Sequence, residues 1–194
     1  MAREAYVVDV VEVPRGVNVA VEGGALEYRV TVKGPMGTLV KEFKGMPVLI
    51  RVEDGKVLVE GYMVDRKDKA KVFTVAGHIR NMIIGVTRGW RYKLKIVYAH
   101  FPMSVKVQGS SLVIENFLGR RDKIVLQIPQ GVKVQVTKDD VIVEGIDKEV
   151  VSQFAANIEL ATTPRGENAP SPHGREAAPG ILDGIYVYAV ENVK

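Results

Sequence analysis

The sequence predicts an α+β protein of two tandem similar domains, each an antiparallel β-sheet with one packed helix, followed by an irregular carboxyl-terminal extension. Three observations predict this. Four sequence blocks recur in the same order in both halves, each block alternates apolar and polar residues with period two, and one stretch per half switches to a period near 3.6.

The blocks, taken in order, set the strands. Pro14-Arg15-Gly16-Val17-Asn18-Val19 resembles Pro102-Met103-Ser104-Val105-Lys106-Val107, 88 residues further on. Val30-Thr31-Val32-Lys33-Gly34-Pro35-Met36-Gly37 parallels Leu112-Val113-Ile114-Glu115-Asn116-Phe117-Leu118-Gly119 at a spacing of 82. Pro47-Val48-Leu49-Ile50-Arg51-Val52 parallels Pro129-Gln130-Gly131-Val132-Lys133-Val134, again at 82, and Val57-Leu58-Val59-Glu60-Gly61 returns as Val141-Ile142-Val143-Glu144-Gly145 at 84. Valine-rich alternation bounded by Gly and Pro reads as half-buried strand. Gly34-Pro35-Met36-Gly37 and Asp54-Gly55 read as hairpin turns, the latter because Asp-Gly tolerates positive φ.

Each Val-x-Val-Glu-Gly strand is followed by a helix. Val72, Val75, Ile79, Met82 and Ile83 share one helical face; Val150, Val151, Phe154, Ile158 and Ala161 share the other. A helix across one face of a small sheet buries both apolar surfaces. The expected division is residues 1–86, a linker at 87–91 containing Trp90, and residues 92–194. The repeat places Val17, Val32, Leu58 and Ile79 in the first core and Val105, Ile114, Ile142 and Ile158 in the second. From Thr163, Pro164, Gly166, Pro170, Pro172, Gly174, Pro179 and Gly180 forbid regular structure, so 163–194 is the extension. It ends in a strand-like run, Gly184 to Val190, expected to return to a sheet.

Composition narrows the function. With 194 residues, 46% hydrophobic and 26% charged, the chain is globular, and the lack of cysteine excludes disulfides, thiolate nucleophiles and cysteine-bound metal clusters. The segment Met1 to Val13 is interrupted by Arg3, Glu4, Asp9 and Glu12, which does not suit a signal peptide, and no apolar run reaches the ~18–20 residues of a membrane span. The expectation is a soluble cytoplasmic protein. Phosphate-loop, nucleophile-elbow and dinucleotide motifs do not occur, and His78, His100 and His173 are scattered. We therefore expect no enzyme, no catalytic residue, no cofactor, no metal and no small-molecule substrate. Glu60 and Glu144, recurring beside glycines, are expected to serve turns.

Charge points to a polyanion. The net charge is only +4, but no acidic residue occurs in the 46 positions between Asp68 and Glu115. Lys69, Lys71, Arg80, Arg88, Arg91, Lys93, Lys95 and Lys106 all lie there. Cations without local acidic partners keep their field free for phosphates, which makes Arg88, Arg91 and Lys93 candidate RNA-binding residues. Arg165, His173 and Arg175 sit among prolines and glycines where arginine can fork onto phosphates, and Arg120 and Arg121 stand beside a hairpin glycine. Tyr186 and Tyr188 are aromatic candidates for stacking or for a sheet surface. A protein-binding adaptor with two β-rich modules is the competing class; there the basic zone would engage an acidic protein.

The densest stretch, His78-Ile79-Arg80-Asn81-Met82-Ile83-Ile84-Gly85-Val86-Thr87-Arg88-Gly89-Trp90-Arg91-Tyr92-Lys93-Leu94-Lys95, running on to Tyr98-Ala99-His100-Phe101-Pro102, resembles the L6 family of large-subunit ribosomal proteins in its archaeal and eukaryotic form. Pro14-x-Gly16-Val17-x-Val19, Gly34-Pro35-x-Gly37-x-Leu39 and Asp183-Gly184-Ile185-Tyr186-Val187 fit as well. The tail around Pro172 to Pro179 is less basic than the family's, and Met36 stands where the family often has lysine. The resemblance implies a non-enzymatic subunit binding large-subunit ribosomal RNA near the sarcin-ricin loop and stalk base. It implies neighbouring ribosomal proteins as further partners, translational GTPases docking nearby, and RNA contact made mostly by the second domain and its extension.

Overall fold

Period-two, valine-rich segments form antiparallel strands throughout the computed structural model, which describes residues 3–24, 26–99, 101–163 and 182–194. The chain divides into two compact units, Met1–Gly89 and Trp90–Lys194. In the first, β1 (Glu4–Glu12), β5 (Leu49–Glu53) and β6 (Lys56–Val64) form one sheet in the order β1-β6-β5, and β2 (Asn18–Gly24), β3 (Glu27–Gly34) and β4 (Gly37–Lys44) form a second. Helix α1 (Arg66–Arg88) packs on both. The second unit repeats the plan with β7 (Trp90–Val97), β8 (Ser104–Gln108), β9 (Ser111–Glu115), β10 (Ile124–Gln127), β11 (Val132–Val136), β12 (Asp140–Gly145) and α2 (Lys148–Ala161). It adds β13 (Gly184–Glu191), giving sheets β11-β12-β7-β13 and β8-β9-β10. The expected return of the extension to a sheet is this strand, antiparallel to β7 with a bulge between Val187 and Ala189.

The two-fold plan follows the repeat, with three corrections. The first concerns which side of a strand faces inward. Val57 and Val59, and equally Val141 and Val143, are fully buried, whereas Leu58 and Ile142 point to the opposite face and are only partly covered. Branched bulk does not decide orientation; the single register that seats the helix does. The second concerns the first block. Val19 pairs with Val32 and Val105 with Ile114, so Val19, rather than Val17, corresponds to Val105. Val17 is partly buried at the rim of the core. A slip of two residues keeps the same face and is invisible to alternation. The third concerns the expected linker at 87–91. The buried face of α1 runs through Val86, Gly89 caps the helix at φ 70° with its N–H donating to Gly85 O and Ile84 O, and β7 starts at Trp90.

Both helix starts are built by aspartate. The Asp65 side chain accepts from Asp68 N at 2.8 Å, and Asp147 accepts from Glu149 N at 2.9 Å, each satisfying a donor the first turn leaves open. Val72, Val75, Ala76, Ile79, Met82, Ile83 and Val86 form the α1 core face; Val151, Phe154, Ala155 and Ile158 form that of α2, with Val150 and Ala161 at its rim. Each fully buried Val, Ile, Phe or Met among them contributes about 1.5–3 kcal/mol. The recurring glycine after Glu60 and Glu144 admits the helix: a Cβ on Gly61 would lie 2.9 Å from Val72 Cγ2, and one on Gly145 2.7 Å from Val151 Cγ2.

Candidate nucleic-acid interface

The acid-free zone of the sequence does not survive folding as a free cationic surface. Sheet pairing and helix packing bring carboxylates to it from elsewhere in the chain. Lys69 meets Glu4 at 2.6 Å, Lys71 meets Asp68 at 2.8 Å, and Arg80 pairs with Asp9. Arg91 pairs with Glu144, Lys93 with Glu191 at 2.9 Å, Lys95 with Asp140 at 3.4 Å and Lys106 with Glu115 at 3.7 Å. Of the cations that mark the zone, exposed Arg88 alone makes no ion pair among the described residues, beside the C-cap of α1. Arg91 and Lys93, expected as free phosphate ligands, are cross-strand partners of acids on β12 and β13.

Glu60 and Glu144 are likewise not turn residues. Glu60 is buried within β6, accepts from the Tyr6 hydroxyl at 2.7 Å and lies 3.5 Å from Arg51 Nε; Glu144 sits on β12 beside Arg91. The hydrogen bond to Glu60 holds the Tyr6 hydroxyl above its ordinary pKa. His78 Nδ1 lies 3.3 Å from Lys41 Nζ, and its ring is near Phe43.

Two further cations without an ion pair among the described residues, Arg120 and Arg121, stand on the loop between β9 and β10. Asn116 at φ 62°, Leu118 at φ 52° and Gly119 at φ 71° turn the backbone through left-handed conformations that expose Arg120 and Arg121. Phe101 and Pro102 fix this loop. Asn116 Nδ2 donates to Pro102 O at 3.1 Å, and the Phe101 ring lies so close to Gly119 that a Cβ there would stand 2.9 Å from it. Phe101-Pro102 is thus a support for the arginine loop, a role that nothing in its local sequence signals. Neither arginine has an ion-pair partner among the described residues; the nearby Glu115 is engaged by Lys123 at 2.7 Å, whose hydrogen bond and charge hold that carboxyl below its usual pKa.

The root of the extension lies beside this loop. Arg120 and Thr163 line one cleft of about 310 Å³ together with Phe117, Leu118, Ile124, Leu160 and Ala161. Thr162 Oγ1 accepts from Ile185 N at 2.9 Å, Glu159 Oε2 accepts from Val187 N at 3.3 Å, and buried Asp183 accepts from Ala99 N at 2.8 Å. The chain therefore leaves α2 and re-enters β13 at one place. Arg165, His173 and Arg175 lie between those anchors, outside the described residues. On β13, the Tyr186 hydroxyl donates to Leu182 O and Tyr188 is exposed at the bulge.

Among the described residues no cluster of His, Asp and Glu could hold a metal ion, and no helix is long and apolar enough to cross a membrane. The model of the family described as ribosomal protein L6 matches residues 13–89 and again 101–168, one match in each half of the chain. Large ribosomal subunit protein uL6 of Pyrobaculum aerophilum is 53% identical over 194 residues, covering 99% of both chains. The proteins of that name from Aeropyrum pernix and Ignicoccus hospitalis are 48% and 47% identical, each covering 98% of both chains.

Proposed function

The chain belongs to the ribosomal protein L6 family, and we propose from that premise that it binds large-subunit ribosomal RNA through the edge of its second unit where Arg120 and Arg121 adjoin the root of the extension. It is a structural, non-enzymatic constituent of the large ribosomal subunit and so of the translation machinery. The observation that carries the RNA site is the contrast in charge compensation. The conspicuous basic zone is largely paired internally, whereas Arg121 and Arg120, the latter lining one cleft with Thr163, make no ion pair among the described residues. Arg165, His173 and Arg175 follow in sequence within twelve residues of Thr163. Arg88, in the first unit, makes no ion pair among the described residues, while Arg91 and Lys93 approach RNA only with Glu144 and Glu191 at their side. The finer placement, near the sarcin-ricin loop and stalk base with translational GTPases docking close by and other ribosomal proteins as neighbours, is what family membership leads us to propose for this chain in the cytoplasmic ribosome.

The test is binding of the full chain to a large-subunit RNA fragment containing the sarcin-ricin hairpin across a salt series. Each neutralised phosphate adds about −0.7 to −0.9 to the slope of log K against log salt. Replacing Arg165 and Arg175, or Arg120 and Arg121, by alanine should flatten the slope by up to about 1.4–1.8 per pair with little loss of folding stability. Unchanged slopes in both double variants would remove RNA binding from this edge.

A further inference from the structure

The two units differ where the helix ends. Val72 and Val151 take the same place against Gly61 and Gly145, which sets the two helices in register. From that shared position α1 runs on to Arg88 whereas α2 stops at Ala161, so α1 is longer by more than one turn. In the first unit those last residues close on the β3–β4 turn: Val86 is fully buried against Gly34, and its carbonyl accepts from Met36 N at 2.9 Å. Val32 and Ile114 are counterparts through their partners Val19 and Val105, so the matching connection in the second unit is the longer loop 116–123. The end of α2 there is fixed, because the Thr162 and Thr163 hydroxyls donate to Glu159 O at 3.2 and 3.0 Å. The space that the helix fills in the first unit is, in the second, the cleft of about 310 Å³ between loop and helix end.

The cleft combines two chemistries. Its walls are apolar: buried Phe117, then Leu118 and Ile124, and from α2 Leu160, a large side chain that the fold leaves 49% exposed. Arg120 and Thr163 add the polar groups, and Arg120 makes no ion pair among the described residues. Leu118 reaches the cleft from a left-handed backbone, φ 52°, which a leucine adopts only where its surroundings impose it. Here the Asn116 hydrogen bond to Pro102 O and the Phe101 ring against Gly119 impose it. A volume of about 310 Å³ stands at the lower end of the roughly 300–1,000 Å³ of ligand pockets, which suits a single ring system. Duplex phosphates would satisfy the arginine and gain nothing from apolar walls. An unpaired nucleotide offers both parts at once, a flat base for the walls and a phosphate for the guanidinium.

We propose that this cleft receives the base of one unpaired nucleotide of large-subunit RNA, with Arg120 on an adjoining phosphate. The proposal rests on the RNA edge proposed above and adds that the RNA there is locally single-stranded. Apolar contact with the base supplies affinity that salt leaves unchanged, while Arg120 and Arg121 supply the part that salt weakens. The first unit, in which α1 fills the equivalent space, takes no base at that place.

The experiment binds the full chain to full-length large-subunit RNA, with base-reactive reagents (dimethyl sulfate, kethoxal and a carbodiimide) reading every unpaired base. One unpaired nucleotide should become about fivefold or more less reactive on binding. Leu160→Ala, which removes an exposed wall of the cleft, and Ala161→Phe, which fills it, should each restore that reactivity. Both should weaken binding about tenfold while leaving the slope of log K against log salt unchanged, because no phosphate contact is lost. Leu160→Ala, a change at a half-exposed side chain, should keep the thermal midpoint of the free chain, so its effect on binding is separable from folding. If the Arg120 and Arg121 variant flattens the salt slope while both cleft variants bind like the parent, the RNA edge stands and the base site is wrong. Weaker binding of the cleft variants with no base protected in the parent complex would also overturn the proposal, since the cleft would then only shape the arginine loop. Unchanged slopes in the arginine variants would remove the edge and the base site together.

Discussion

At the scale of single residues, close approach and capping do what side-chain chemistry alone does not announce. Gly34 is needed because the end of α1 lies against the β3–β4 turn: Met36 N donates to Val86 O at 2.9 Å, and a Cβ on Gly34 would stand 2.6 Å from Val86 Cγ2 and 2.8 Å from its carbonyl oxygen. Gly34→Ala should destabilise the chain by about 1–3 kcal/mol through overpacking, read as a lower urea midpoint at unchanged slope. Asp65 gives a pH-dependent effect. The backbone N–H of Asp68 bonds its carboxylate and holds its pKa below the usual aspartate range. A depressed folded-state pKa means that the cap's contribution is fully present above the unfolded value of about 3.9 and is lost as pH falls through the lower folded value. Asp65→Asn keeps an acceptor at the cap without the titration, so its stability should fall less steeply than that of the parent below about pH 4, as denaturant midpoints between neutral and acid pH will show.

At the scale of elements, the decisive device is the attachment of β13. Thr162 is fully buried at the end of α2, and its hydroxyl is the acceptor for the backbone N–H of equally buried Ile185. Thr162→Val conserves shape and removes that acceptor, leaving a buried donor unpaired. The expected loss is about 1–3 kcal/mol, with faster amide exchange concentrated in residues 185–190. Unaltered exchange in β13 would mean that pairing with β7 alone holds the strand. The strands and both helices were legible in the sequence because amphipathic period is a local property. The inward faces of β6 and β12 were not: Leu58 and Val57 are adjacent, equally apolar candidates, and only contact with α1 selects the valine.

At the scale of the whole molecule, the distribution of unpaired charge differs from that of charge along the chain. Lys69 and Arg80 are held by Glu4 and Asp9, residues more than sixty positions away. Replacing both by alanine should therefore leave the salt slope of RNA binding unchanged and reduce stability by no more than about 1 kcal/mol per exposed pair. A flattened slope in this variant would return the RNA site to the basic zone. Arg120, Arg121 and Arg88, candidates from the sequence, make no ion pair among the described residues, and Gly119 beside the first two takes φ 71°. Arg91 and Lys93 were misread as free for the same reason as the zone itself, since Glu144 and Glu191 lie 53 and 98 residues from them in sequence.

The sequence by itself determined the duplicated α+β architecture, the order of strand and helix in each half, the family and the non-enzymatic nature of the chain. These depend on periodicity, turn chemistry and motif strings, which are properties of neighbouring residues. Tertiary structure alone decided which valines are core, that Gly89 is all that separates α1 from β7, and which cations are neutralised. Each of those depends on what lies across a sheet or beneath a helix, and Coulomb attraction and steric exclusion act through a few ångströms of space whatever the distance along the chain.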